Sequence, residues 1–137
     1  MGHLHLLTTQ PEVYRKLFID VLGGQHRKSG PIDWAMFPGV FVGFRKGEPA
    51  GGTDGSVVNH IGFLVKDLAA TKAKLVDAGV TIEREMPERH QIFTMFPDNV
   101  RVEFTEDKTS EAPIQNHHIH FASHQVEEMR AWYATHF

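Results

Sequence analysis

His60-Ile61-Gly62-Phe63-Leu64-Val65-Lys66-Asp67-Leu68 sets a histidine at the head of a strand and an aspartate at the head of a helix. The phrase returns at nearly constant spacing, as His3-Leu4-His5-Leu6 before it and His118-Ile119-His120-Phe121 after it. Each copy alternates like a strand and precedes a helix-like stretch. Such a period signals a repeated supersecondary unit. It also delivers a histidine to an equivalent place in each copy, so a metal could sit between copies.

The first unit spans residues 1–47. Leu4 and Leu6 alternate with His3, His5 and Leu7, as in a strand with one apolar face. Pro11 suits a first helical turn, and Val13, Tyr14, Leu17, Phe18 and Val21 form the stripe that ends at Gly23-Gly24. Strands are expected near Gln25–Lys28, Ile32–Phe37 and Val40–Arg45. Residues 48–56 are rich in glycine and read as a linker; they lack the lysine and following helix of a phosphate loop. The second unit, 57–107, repeats the order: strand Val57–Val65, a helix capped by Asp67, then strands near Val80–Glu85, Gln91–Phe96 and Val100–Thr105. A second linker covers 108–115. A third unit, 116–137, supplies a strand and a helix. Its Trp132, Tyr133 and Phe137 leave apolar surface without a partner. A homodimer contact or a further module of a longer native chain would cover it. The expected fold class is therefore α+β, with paired β-α-β-β-β modules forming an open, cupped mixed sheet and the start of a third module.

Composition narrows the function. The 137 residues are 41% apolar and 23% charged with a net charge of −3, which describes a folded domain and not a disordered chain. Lys and Arg do not cluster with aromatics, so nucleic acid is not an expected partner. No apolar run reaches the ~20 residues of a membrane span, and no leader pattern opens the chain. The compartment stays open. The lack of cysteine removes disulfides and thiolate chemistry, whereas ten histidines is a high count.

Strand alternation then selects the site. Ile61, Phe63 and Val65 share one face with the helices, which leaves His60 on the other. Val100, Val102 and Phe104 leave Arg101 and Glu103 opposite in the same way. His3 and His5 take the corresponding face of the first unit. If the units join in one curved sheet, His60, Glu103 and His3 or His5 converge. Two imidazoles and a carboxylate with open positions suit iron(II), and also Mn, Ni or Zn. His118 opens a separate unit and is expected to belong to a different site.

These residues resemble the vicinal oxygen chelate superfamily, which includes glyoxalase I, extradiol dioxygenases, and fosfomycin and bleomycin resistance proteins. The likeness rests on His60 through Leu68, on Leu17-Phe18-Ile19-Asp20-Val21-Leu22-Gly23, and on Pro97-Asp98-Asn99-Val100-Arg101-Val102-Glu103-Phe104. It implies a divalent metal ion (Fe, Mn, Ni or Zn) held by His3, His60 and Glu103, with His3 preferred to His5 by its distance from Gly23. A small-molecule substrate with neighbouring oxygens is implied as well. One departure matters: glyoxalase I-like sites take a carboxylate from the last strand of each module, and Gly43 stands there in the first. The expected activity is thus a dioxygenase acting on a catechol-like compound. A glyoxalase-like lyase or isomerase, or a metal-free binding or resistance protein, is the alternative. His90 and Arg101 are the candidate catalytic residues, with His5 beside them.

Overall fold

The computed structural model describes residues 2–137. Its first part runs β1 (His3–Thr8), α1 (Pro11–Arg15, continued by a π-helical turn over Lys16–Val21), β2 (Gln25–Ser29), β3 (Ile32–Phe37) and β4 (Val40–Lys46). The second part runs β5 (Val58–Val65), α2 (Leu68–Asp77), β6 (Thr81–Met86), β7 (Gln91–Phe96) and β8 (Val100–Glu106). The chain continues through β9 (Ile114–Phe121) and α3 (Val126–His136). This is an α+β fold of paired β-α-β-β-β modules followed by the first strand and helix of a third.

In both modules the first strand lies parallel to the last, and the other neighbours are antiparallel. The sheets are nevertheless separate. One has the order β1-β4-β3-β2, the other β6-β7-β8-β5-β9. The free edge of β5, where a strand of the first module was expected, is taken by antiparallel β9.

The modules meet through their helix-bearing faces. Tyr14, Leu17, Phe18 and Leu22 of the first helix join Val42 and Phe44 of β4, Ile61 and Phe63 of β5, and Val102 and Phe104 of β8 in one core. Phe18 touches Phe37, Phe44 and Phe96, so its ring links both sheets. Burying a ring of this size stabilises the fold by roughly 1.5–3 kcal/mol.

Two details depart from the sequence reading. The Leu22 amide bonds back to the Leu17 carbonyl at 3.0 Å, a π-type turn. This shift of phase buries Leu22 where Val21 was expected, while Val13 remains exposed. The glycine-rich stretch joins β4 to β5 without regular structure, yet it is anchored at one point. Thr53 is buried, its amide donates to the Asn99 carbonyl at 3.0 Å, and its hydroxyl accepts from the Arg101 amide at 2.9 Å. Elsewhere expectation and structure agree closely. Asp67 caps α2 by accepting from the Ala70 amide at 2.8 Å. α3 buries no residue, and Trp132, Tyr133 and Phe137 are exposed. No helix among the described residues is long and apolar enough to cross a membrane.

Candidate metal centre

The concave face of the second sheet forms a cleft of about 1070 Å³, lined by residues from β5, β6, β7, β8 and β9. His60 and Glu103 reach it for the reason read from the sequence: their strand neighbours Ile61, Val102 and Phe104 turn into the core. Both site residues are buried, at 5% and 4% exposure.

The third group is His118. The pair Ile61–Ile119 is the centre of the antiparallel β5–β9 ladder, with His60 opposite His120 and Gly62 opposite His118. The His118 ring lies directly over Gly62, where an added Cβ would come within 2.3 Å of it. Glycine at 62 is what lets the imidazole cross to the carboxylate. His60 Nε2 is then 2.9 Å from Glu103 Oε2 and 3.1 Å from His118 Nε2, and His118 Nε2 is 3.5 Å from Glu103 Oε2. Neighbouring donors around a divalent ion, with bonds of roughly 2.0–2.1 Å, sit about 3.0–3.4 Å apart. The donor set therefore fits a metal ion. His120 and His117 stand at its margin, each within ligand-to-ligand reach of two members.

A surrounding layer orients each group. His60 Nδ1 is 2.8 Å from Asn59 Oδ1, which also faces Arg101 Nη1 at 3.5 Å. An oxygen that faces a guanidinium is an acceptor, so His60 carries its proton on Nδ1 and presents a lone pair at Nε2. Arg101 is itself held by Glu83 through two bonds of 2.7 Å. Glu103 Oε1 accepts from Gln91 Nε2 at 2.6 Å and from the Thr105 hydroxyl at 2.9 Å, leaving Oε2 to face the histidines. Such outer partners fix the orientation and basicity of ligands.

Electrostatics follow from this layout. Burial pushes His60 below its ordinary value, aided by His120 and His118 and opposed by Glu103. Burial alone would raise Glu103, but hydrogen bonds from His118, Thr105 and Gln91 outweigh it and hold the carboxyl at about 2. The groups thus favour a neutral imidazole and an ionised carboxylate, the forms that bind a cation.

Of the residues singled out from sequence, His60, Glu103 and Arg101 line the cleft, whereas His3, His5 and His90 do not. His3 and His5 pack edge-on against Trp34 on the first sheet, with ring centroids at 5.5 and 5.1 Å. They are kept from His60 because β9, not β1, borders β5. His90 ends a short turn in the left-handed region (φ 50°), exposed, 3.9 Å from Glu106. His118, expected at a different site, contacts His60 and Glu103. Sequence reasoning also missed Asn59, Gln91 and Thr105. Asn59 precedes the histidine, and Thr105 follows Glu103 by two on the same strand face, so both left a signal; Gln91 depended on strand pairing.

No protein-family model and no curated protein sequence matches the chain. Solved structures do. The fosfomycin resistance protein FosX of Listeria monocytogenes is 16% identical with a TM-score of 0.66, covering 82% of this chain and 94% of that one. FosX from Mesorhizobium loti, also 16% identical, gives 0.65 over 81% and 92%. A glyoxalase/dioxygenase from Nostoc punctiforme, 14% identical, gives 0.65 over 77% and 88%. The chain has the fold of the vicinal oxygen chelate proteins.

Proposed function

We propose that the cleft is the active site of a metal-dependent enzyme that chelates two neighbouring oxygens of a small substrate. His60, His118 and Glu103 are its ligands, and a dioxygenase reaction on a catechol-like compound is its chemistry. The observation that carries the reading is the convergence of His60 Nε2, His118 Nε2 and Glu103 Oε2 within 2.9–3.5 Å of one another. Two acceptors that close repel unless a cation lies between them. A proton there would make His60 an imidazolium, which its burial disfavours. A divalent Fe, Mn, Ni or Zn ion relieves the contact. Such an ion, when bound, acts as a Lewis acid on a substrate oxygen.

The chain's own groups do the remaining work. Asn59 holds His60 in one tautomer, and Gln91 with Thr105 reserves one Glu103 oxygen for the centre. The Phe93 ring, edge-on to His60 at 5.3 Å, shields one side from water. His120, whose ring lies 4.7 Å from that of His60, is assigned to take up or return a proton at a substrate oxygen. A glyoxalase-like lyase or isomerase reaction is the second reading, favoured by the likeness to glyoxalase and fosfomycin resistance structures. Gly43 counts against the form of it that needs a carboxylate from each module.

Elemental analysis after loading with Fe, Mn, Ni or Zn tests the centre: about one ion per chain is expected, lost in His60→Ala and Glu103→Ala. Oxygen uptake with catechols, against turnover of a hemithioacetal, separates the two reactions. Full metal retention by both variants would overturn the reading.

A further inference from the structure

The β5–β9 ladder is irregular at two places, and the two irregularities match. Its register steps from Val58–Phe121 to His60–His120, and from Gly62–His118 to Phe63–Asn116. Asn59 is therefore an extra residue on β5, and His117 is an extra residue on β9. Each stands immediately before one of the two histidines assigned to the ion, His60 and His118. Regular alternation would send neighbouring side chains to opposite faces of the sheet. An extra residue breaks that alternation and re-aims a side chain. Asn59 with His60, and His117 with His118, accordingly all line the same cleft.

The two bulges also make the same kind of contact. Asn59 Oδ1 lies 2.8 Å from His60 Nδ1, and His117 Nδ1 lies 3.1 Å from His118 Nδ1. The His117 and His118 rings stand edge-on with centroids 4.9 Å apart. In each pair the bulge residue meets Nδ1, while Nε2 of the following histidine faces Glu103. A neutral imidazole carries one N–H and one lone pair. When His118 Nε2 gives its lone pair to an ion, its proton sits on Nδ1, and the group beside that nitrogen must accept it. An imidazole accepts there only with its own proton on Nε2, which the exposed His117 ring can present to water.

Resting on the chelation reading above, we infer that His117 is a positioning residue for His118. Its Nδ1 accepts the His118 Nδ1–H and holds His118 Nε2 toward His60 and Glu103, as Asn59 does for His60 from the matching bulge. His117 is thus not a fourth ligand, although it stands within ligand-to-ligand reach of Glu103 and His118. One of its nitrogens accepts a proton and the other carries one, so no lone pair is left for an ion. Outer partners of this kind set the tautomer and ring orientation of a ligand histidine.

Two measurements on the zinc-loaded chain test the assignment. Histidine nitrogen NMR should show His118 protonated at Nδ1 and bound to zinc at Nε2, with His117 protonated at Nε2 and bound to no metal. Competition with a chelator then compares His117→Ala with His117→Asn. Alanine accepts nothing there and should weaken zinc binding by about 10-fold, with the same number of ions held at saturation. Asparagine supplies at position 117 the acceptor that Asn59 supplies in the other bulge, and should restore affinity to within about threefold of the unaltered chain. Unchanged affinity in the alanine variant, equal losses in both variants, or zinc on a His117 nitrogen would overturn this inference alone. His117 is exposed, so neither substitution removes core packing; should either variant fail to fold, the spectra of the unaltered chain decide. A chain that takes up no zinc would overturn the chelation reading and this inference with it.

Discussion

The two sheets share a strand order yet differ in one row of residues that crosses each concave face. In the first sheet that row is His5, Gly43 and Trp34, on β1, β4 and β3. In the second it is Gly62, Glu103 and Phe93, on β5, β8 and β7. Each row contains one glycine, placed on opposite strands. Over Gly43 lies the Trp34 ring, so close that an added Cβ would come within 2.6 Å of it. Over Gly62 lies His118. One sheet thus fills its cup with an indole and two imidazoles, and the other uses the space beside its glycine to bring His118 to His60 and Glu103. The comparison shows how one backbone layout can be tuned to packing or to chemistry by where it omits a side chain.

The largest effect should come from removing a ligand in the second row. Glu103→Ala should lower metal affinity by about 100-fold or more, beyond the 10–100-fold typical of outer partners, as read by competition with a chelator. A side chain forced into the glycine position comes next. Gly62→Val should displace His118 and reduce affinity roughly 10–100-fold. Gly43→Val should leave affinity unchanged but destabilise the fold by about 1–3 kcal/mol in denaturant unfolding, because Trp34 must move. Equal effects of the two on affinity would erase the distinction between the sheets. Outer partners follow: Asn59→Ala and Gln91→Ala should each weaken metal binding by about 10-fold without changing the number of ions held at saturation.

The smallest effects are in pH dependence, where the two halves should fail at opposite ends. Glu103 is held at about 2, below the unfolded carboxylate, so its contribution is present above about pH 4.5 and is lost as pH falls toward 2. Tyr14, in the first module, donates to the Pro97 carbonyl at 2.7 Å, and burial, then Asp98, pushes its phenol well above the ordinary value. Its contribution is present below about pH 10 and is lost as pH rises beyond that. Unfolding of chelator-treated protein across pH, with Glu103→Gln and Tyr14→Phe, checks both. The first variant should flatten the acid limb only, and the second the alkaline limb only.

Most of the fold was legible because alternation and helical stripes report burial directly: Ile61, Phe63, Val102 and Phe104 are where period-2 patterning puts them. Two residues of the proposed site, His60 and Glu103, follow from the same rule, since their strand neighbours must face the core. The third does not. His3 and His118 open equivalent phrases, and only long-range pairing decides which of them borders β5. Nothing local in the sequence encodes that β9 takes this edge. Composition identified residues 48–56 as a linker but gave no sign that Thr53 within it packs against the turn before β8 and helps set Arg101. The π-turn at Leu22 was hidden for a related reason, because a stripe of 3.6 residues gives no sign of one extra residue in a turn.

Cobalt titration of His118→Ala beside His3→Ala decides which histidine is the third ligand. His3→Ala should bind one cobalt ion per chain with the visible spectrum of the unaltered protein, while His118→Ala should lose that spectrum and most of its affinity. Loss of the spectrum in His3→Ala with retention in His118→Ala would contradict the assignment to His118.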